Sequence, residues 1–162
     1  MTPMAAQPGA PTSYGTGVLR SDPGSAYLVA VAVCRASDTA PRTLRHFVQH
    51  TARQRGITPD LVADLALICT ELATNAVLHS GSHDVTVSLR LSIDHLVLGV
   101  DDHGRWKMPG QRINPLQALG GRGLDLVRTL AATSIHHTPD GTRVRCRLPL
   151  TAPDTTKPHD PS

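Results

Sequence analysis

The chain has 162 residues, 40% of them hydrophobic, and a net charge of +3. This length suits one domain whose core needs no metal or disulfide support. The positive charge comes mainly from scattered arginines, and the only aromatic residues are Tyr14, Tyr27, Phe47 and Trp106. A base-stacking surface needs more aromatic rings than this, so we expect no direct nucleic-acid partner.

The cysteines and the apolar runs bear on the cellular compartment. Cys34, Cys69 and Cys146 are odd in number and lie among apolar residues, which favours reduced core thiols and a cytoplasmic protein. No run approaches the roughly 18 apolar residues of a membrane span, and the N-terminus lacks a signal-like pattern. We therefore expect no membrane association. The nine histidines show no zinc-ligand spacing and are interpreted as surface or core residues.

The two ends of the chain differ in composition from its middle. Residues 1–25 and 151–162 are rich in proline, small and hydroxyl residues and show no periodicity, which predicts disordered tails. No repeat or linker divides the rest. We therefore predict one folded domain over residues 26–150.

The first half of this domain predicts one strand and two helices. Residues 27–34 form a short β-branched run typical of a strand. A helix should then begin near Pro41 and stop at Gly56. The second helix should begin after Thr58, its expected N-cap, and extend to about residue 80.

The second half predicts two hairpins separated by a third helix. Residues 85–91 and 96–100 alternate as paired strands, and residues 124–132 form a helix with one apolar side. Residues 135–137 and 142–150 make a final hairpin around a Pro-Asp-Gly turn. These elements predict an α/β (α+β) sandwich with a mixed, mainly antiparallel sheet and three helices on one face.

The second predicted helix carries polar side chains beside its apolar stripe. Glu71 and Asn75 are four residues apart and so lie on one side of the helix. A carboxylate and an amide oxygen there would suit a magnesium ion and an activated hydroxyl. An ordinary amphipathic helix with polar boundary residues would also give this pattern. His79 continues the same side, as a wall of the site or, slightly favoured, as a cation at the helix C-terminus.

Two glycine-containing motifs follow. The alternation of Leu98, Val100 and Asp102 turns the Asp102 carboxylate inward at the end of a strand, with the rival Asp101 outward, and Gly104 permits a sharp turn. The run Gly121-Arg122-Gly123 opens a helix, where backbone N–H groups favour a phosphate. Taken singly, each motif is equally compatible with a simple turn or a tight loop.

The order of the three motifs is more specific than any one of them. Glu-x-x-x-Asn on a helix, Asp-x-Gly after a strand, Gly-x-Gly opening a helix and Gly-Thr entering a last strand resemble the ATPase (Bergerat) fold of histidine kinases, heat-shock 90 chaperones, type II topoisomerases and MutL mismatch-repair proteins. The segments at residues 71–80 and 120–124 in particular resemble the small anti-sigma-factor serine kinases of bacteria. This resemblance spans residues 26–150.

The resemblance implies ATP and Mg²⁺ as cofactors and assigns roles to residues. Glu71 would be the general base and Asn75 the magnesium ligand. Asp102 would hold the adenine amine, while Gly104 would allow close approach and Thr142 would lie near the adenine. The remaining residues would line the phosphates or border them: Gly121, Arg122, Gly123 and Leu124. Residues 105–119 would form the lid over the nucleotide.

Two departures from the family pattern concern this lid. Trp106 stands where fuller first glycine motifs have a second glycine, and the lid segment is short and contains prolines. Nucleotide binding is therefore better supported than turnover, since the adenine contact depends on Asp102.

The resemblance also implies protein partners. Sensor histidine kinases require a preceding helical hairpin with a phosphoacceptor histidine, and only residues 1–25 precede the first predicted strand. We therefore expect an anti-sigma-factor serine/threonine kinase that binds a sigma factor and phosphorylates an antagonist of the sulfate-transporter and anti-sigma (STAS) type. The alternatives are a nucleotide-dependent binding switch without phosphotransfer and, less favoured, a scaffold whose site has decayed. Relatives often pair along the first strand, which makes a homodimer through residues 27–34 a further expectation.

Overall fold

An open sheet of six strands with three helices on one face forms the described part of the chain. The structure is a computed structural model, and it describes residues 13–15, 27–104 and 121–150. The sheet order is β1-β2-β3-β4-β6-β5. The elements are β1 (Ser13–Gly15), β2 (Tyr27–Arg35), α1 (Ala40–Gln54), α2 (Pro59–His79), β3 (Asp84–Leu91), β4 (His95–Asp102), α3 (Gly121–Leu130), β5 (Ala132–Thr138) and β6 (Gly141–Pro149).

Every neighbouring pair of strands is antiparallel. The predicted α+β architecture, with three helices and a mainly antiparallel sheet, is confirmed, and among the described strands no pair is parallel. The connection from β4 through α3 does bring β5 back in the same direction as β4. However, β6 turns back and inserts between those two strands, so they never pair with each other.

Proline and glycine set the bounds of the first two helices, as predicted. Pro41 lies in the first turn of α1, and the positive φ of +71° at Gly56 follows its end. α2 begins at Pro59 after Thr58, whose backbone is extended although its side chain makes no capping hydrogen bond. Gly81, with a φ of +69°, follows the C-terminus of α2. The fixed φ of proline and the positive φ that glycine permits therefore set these helix ends through local backbone geometry, independently of tertiary packing.

The core lies between the helices and one face of the sheet. Alternate strand residues such as Val87, Leu98 and Val144 pack against helix residues such as Leu44 and Leu72. The cysteines Cys34, Cys69 and Cys146 are free and buried, as predicted. Burial raises the pKa of the Cys69 thiol to about 12, because the charged thiolate is poorly solvated there.

Helix α2 corrects the expectation that no segment resembles a membrane span. Its length and hydropathy are sufficient for one helix to cross a membrane, but half of the apolar window is buried inside the protein. The apolar surface of α2 thus has a partner in this fold, since Leu65, Ile68 and Leu72 lie in the common core.

Three other boundaries differ from the predictions. β1 lies within the predicted N-terminal tail. Its three residues pair with β2, although a segment this short shows no strand pattern in the sequence. β5 begins at Ala132 instead of residue 135, since its ladder with β6 extends through polar edge residues. α3 contains the Gly-Arg-Gly run and ends at Leu130. The remaining tail residues lie outside the described part.

Replacing Leu72 by alanine should destabilise the fold strongly. Leu72 is fully buried at the centre of α2, so its loss leaves a cavity that costs about 2–5 kcal/mol in the free energy of unfolding. Leu78 on the same helix is 64% exposed, and Leu78→Ala should change this free energy by less than about 0.5 kcal/mol. Urea denaturation measures both variants. Equal effects would contradict the placement of α2.

Candidate functional site

Helix α2 carries the predicted polar residues at the edge of its buried stripe. Asn75 is 7% exposed and Glu71 is partly buried, while the residues that follow them, Ala76 and Leu72, point into the core. His79 is the last residue of the helix, in the position predicted for a C-terminal cation. The period of the helix therefore holds the carboxylate and the amide one turn apart on one side.

Glu71 lies directly against the first turn of α3. A Cβ atom built on Gly123 would collide with Oε2 of Glu71, so the carboxylate occupies the space that a side chain would fill. This contact brings the predicted general base to the predicted phosphate motif. A side chain at position 123 would displace the Glu71 carboxylate from this place.

The Gly-Arg-Gly motif forms the first turn of α3 instead of a loop before it. Gly121 is the first helical residue, the Arg122 side chain is exposed, and Leu124 is half-buried against the core. The first N–H groups of a helix have no partner within the helix and carry partial positive charge. Helix α3 therefore directs anion-binding groups to the Glu71 side of the site, while Leu124 anchors the helix.

Asp102 ends β4 with its side chain inward, as the alternation predicts. Its carboxylate is 5% exposed, and its Oδ1 atom accepts a hydrogen bond of 2.9 Å from the Gly104 N–H. Asp101 points to the opposite face, where Arg145 pairs with it through both guanidinium nitrogens. The two neighbouring aspartates thus separate into an inner candidate ligand and an outer structural ion pair.

Glycines close the backbone around Asp102. Gly104 packs so tightly on the Ser80 carbonyl at the end of α2 that a Cβ atom would overlap it. Gly141 has a φ of +142°, and a Cβ atom there would overlap the Asp102 carbonyl. These contacts fix the end of β4 against both α2 and the β5–β6 turn.

Thr142 completes the wall beside Asp102. It is fully buried and stands opposite Asp102 in the β4–β6 register. Its hydroxyl donates to the Gly104 carbonyl over 3.2 Å. Thr142 therefore lies beside Asp102, and its place near the adenine stays a prediction.

The sequence interpretation missed two histidines at this end of the site. The His137 Nδ1 atom lies 3.3 Å from the Thr142 hydroxyl oxygen. His103 donates its backbone N–H to the Ser82 hydroxyl over 3.0 Å, and its Nδ1 lies 3.3 Å from the Asp140 carbonyl. The Pro-Asp-Gly turn could have predicted the place of His137, because a hairpin closed by this turn pairs residue 137 with residue 142.

The described residues fit a nucleotide with magnesium better than a metal held by protein alone. Asn75 is 7% exposed, and its side-chain amide lies one helical turn from the partly buried Glu71. Within residues 27–104 and 121–150, no three His, Cys, Asp or Glu side chains come together as a metal site. Mg²⁺ typically takes one or two protein ligands and completes its shell with phosphates and water, which suits a lone amide oxygen.

The site therefore has two chemically different ends. Asp102 and Thr142 offer a carboxylate and a hydroxyl beside the sheet, whereas Glu71, Asn75 and the start of α3 gather on the helix side. The first end suits a base with an exocyclic amine and the second suits phosphates. Two parts of the predicted site lie outside the described residues. They are the lid at residues 105–119, which contains Trp106, and Gly120, which precedes the Gly-Arg-Gly run.

A separate groove of about 300 Å³ runs between α1 and α2. Arg42 and Arg45 line one side, and Val77 and the exposed Leu78 line the other. None of the predicted nucleotide-binding residues contributes to it. It is therefore a second surface feature on the helical layer.

Comparisons with known proteins identify the family of this domain. No curated protein sequence matches the chain significantly. Among solved structures, the blue-light activated histidine kinase of Erythrobacter litoralis EL346 is 30% identical, with a TM-score of 0.38; the match covers 55% of this chain and 31% of that kinase. The chain thus spans under a third of that protein's length. The family described as histidine kinase-like ATPase domain matches residues 34–148, most of the chain, and the protein therefore belongs to this family of ATP-binding domains.

Proposed function

We propose that this ATP-binding regulatory domain is an anti-sigma-factor serine/threonine kinase that phosphorylates a STAS-type antagonist in the cytoplasm. The membership in the ATPase family supports ATP binding. The finer assignment is supported by the likeness of residues 71–80 and 120–124 to anti-sigma-factor kinases. Its partners would be a sigma factor and the antagonist.

The contact between Glu71 and Gly123 is the observation that carries the proposal. A carboxylate held against the phosphate-binding turn lies where a hydroxyl that attacks the terminal phosphate must approach. A domain that only bound nucleotide would need Asp102 and the glycines but not this carboxylate. The placement of Glu71 thus favours phosphotransfer.

In the proposed reaction, the substrate serine hydroxyl attacks the γ-phosphorus of ATP. The new bond joins the serine oxygen to phosphorus, and the bond from phosphorus to the β–γ bridging oxygen breaks, so that ADP leaves with the electron pair. Glu71 accepts the hydroxyl proton and returns it to solvent. The N–H groups of α3, with Arg122 near them, stabilise the negative charge on the phosphates.

Asn75 is the residue that would hold Mg²⁺ through its side-chain oxygen. When bound, the ion supplies charge neutralisation at the phosphates.

Asp102→Asn should weaken ATP binding at least about tenfold, because the carboxylate that accepts from the adenine amine loses its charge. Asn75→Ala should weaken binding of ATP in the presence of Mg²⁺. Isothermal titration calorimetry measures both dissociation constants. The control is Asp101→Asn, since Asp101 faces away from the site and pairs with Arg145. Unchanged affinity in the first two variants would refute the site assignment.

Glu71→Gln should retain ATP binding yet lose about 10²-fold or more of the phosphotransfer rate, because an amide cannot accept the serine proton. Transfer of ³²P from labelled ATP to a candidate antagonist measures the rate, and a serine-to-alanine antagonist controls for the acceptor. If Glu71→Gln transferred phosphate at the normal rate, Glu71 would not be the base. Absence of transfer by the unaltered protein, with ATP bound, would refute the kinase assignment.

The groove between α1 and α2 favours a second candidate, a nucleotide-dependent binding switch without phosphotransfer. Its mixed lining of arginines and exposed apolar side chains, Leu78 above all, suits a protein partner. Such a switch would capture its partner in the ATP-bound state and release it otherwise.

A pull-down from native lysate with and without ATP and Mg²⁺ tests the partner assignment. We expect a sigma factor or a small STAS-type antagonist to be enriched in an ATP-dependent way. The Asp102→Asn variant serves as the control, because it should abolish the ATP dependence. Enrichment of neither class of protein would contradict the assignment to sigma-factor regulation.

A further inference from the structure

We propose that His137 is a positioning residue for the base-binding end of the site, where it orients the Asp102 carboxylate through Thr142 and Gly104. The inference rests on the proposed binding of ATP, with Asp102 accepting from the adenine amine. His137 lies outside the three glycine and polar motifs and has no part in phosphotransfer.

The sheet register brings the three side chains into one row. Asp102 on β4 stands opposite Thr142 on β6, and Thr142 stands opposite His137 on β5. Because directly paired residues point to the same face, all three side chains point to the inner face; Asp102 and Thr142 are buried there, whereas His137 on the edge strand is exposed. His136, the preceding residue, pairs with Arg143 and points to the outer face.

Counting hydrogens fixes the direction of each hydrogen bond in the row. The Thr142 hydroxyl carries one hydrogen and donates it over 3.2 Å to the Gly104 carbonyl, which can only accept. Towards His137, the Thr142 oxygen can therefore only accept. The His137 Nδ1 atom, 3.3 Å away, must carry the hydrogen of that bond. This selects the Nδ1–H tautomer whenever the imidazole is neutral.

Gly104 links this chain to Asp102. Its carbonyl is held by Thr142, and its N–H donates to the Asp102 Oδ1 atom over 2.9 Å. Gly104 is thus fixed on both sides by hydrogen bonds. Without His137, the Thr142 oxygen keeps only its bond to Gly104 and loses the donor that holds it from the other side. The carboxylate would then lose part of its fixed orientation.

Side-chain replacements at position 137 separate a donor role from a space-filling one. His137→Asn keeps an N–H donor one bond from Cγ, as Nδ1 is, whereas His137→Gln places its donor farther out. We expect His137→Ala and His137→Gln to weaken ATP binding about fivefold, the loss of one hydrogen bond, and His137→Asn to stay within about twofold of the unaltered protein. His136→Ala is the matched control and should leave binding unchanged.

Inosine triphosphate provides the readout that general loosening of the fold would not change. It lacks the exocyclic amine, so Asp102 orientation should matter little for its binding. The preference for ATP over inosine triphosphate should therefore fall about fivefold in His137→Ala and recover in His137→Asn. Equal weakening of both nucleotides, or equal affinities in all three His137 variants, would overturn the inference.

The tautomer can be read without nucleotide. Two-bond ¹H–¹⁵N correlation spectra of the ¹⁵N-histidine-labelled protein should show His137 as the Nδ1–H form at a pH where it is neutral. An Nε2–H form would overturn the positioning role even if ATP binds normally. Failure of the unaltered protein to bind ATP, together with the Nδ1–H form, would instead refute the proposed function on which the adenine readout depends.

Discussion

Burial of helix α2 between α1 and the sheet is the constraint on which the rest of the structure depends. The apolar side of α2 forms the centre of the core. The helical period of about 3.6 residues per turn then fixes the directions in which Glu71 and Asn75 point. A rotation of the helix that exposed these polar groups further would also expose Leu65, Leu72 or Ala76. The stability of the core and the direction of the functional side chains are therefore one property of α2.

The site is assembled by close approaches of backbone instead of by long side chains. Gly104 lies on the end of α2, Gly141 on the end of β4, and Gly123 on Glu71, each at a distance that excludes a Cβ atom. These three glycines join elements that are far apart in sequence.

The sequence predicted those features that depend on local geometry. Proline and glycine placed the bounds of α1 and α2, and strand alternation separated Asp102 from Asp101. Features that depend on tertiary pairing escaped prediction. β1 is three residues long and has no pattern of its own, and the extra residues of β5 are ordered by the ladder with β6. The contact between Glu71 and Gly123 likewise follows from helix packing, which no spacing in the sequence reports.

The Glu71–Gly123 contact has a consequence for how a ligand is received. Because the carboxylate rests on a bare Cα atom, the spacing between α2 and the first turn of α3 is set by the protein itself. The loss of conformational freedom needed to bring these two groups together occurs during folding and not during binding. This part of the proposed site is preorganised, so its two elements are already together before any ligand binds.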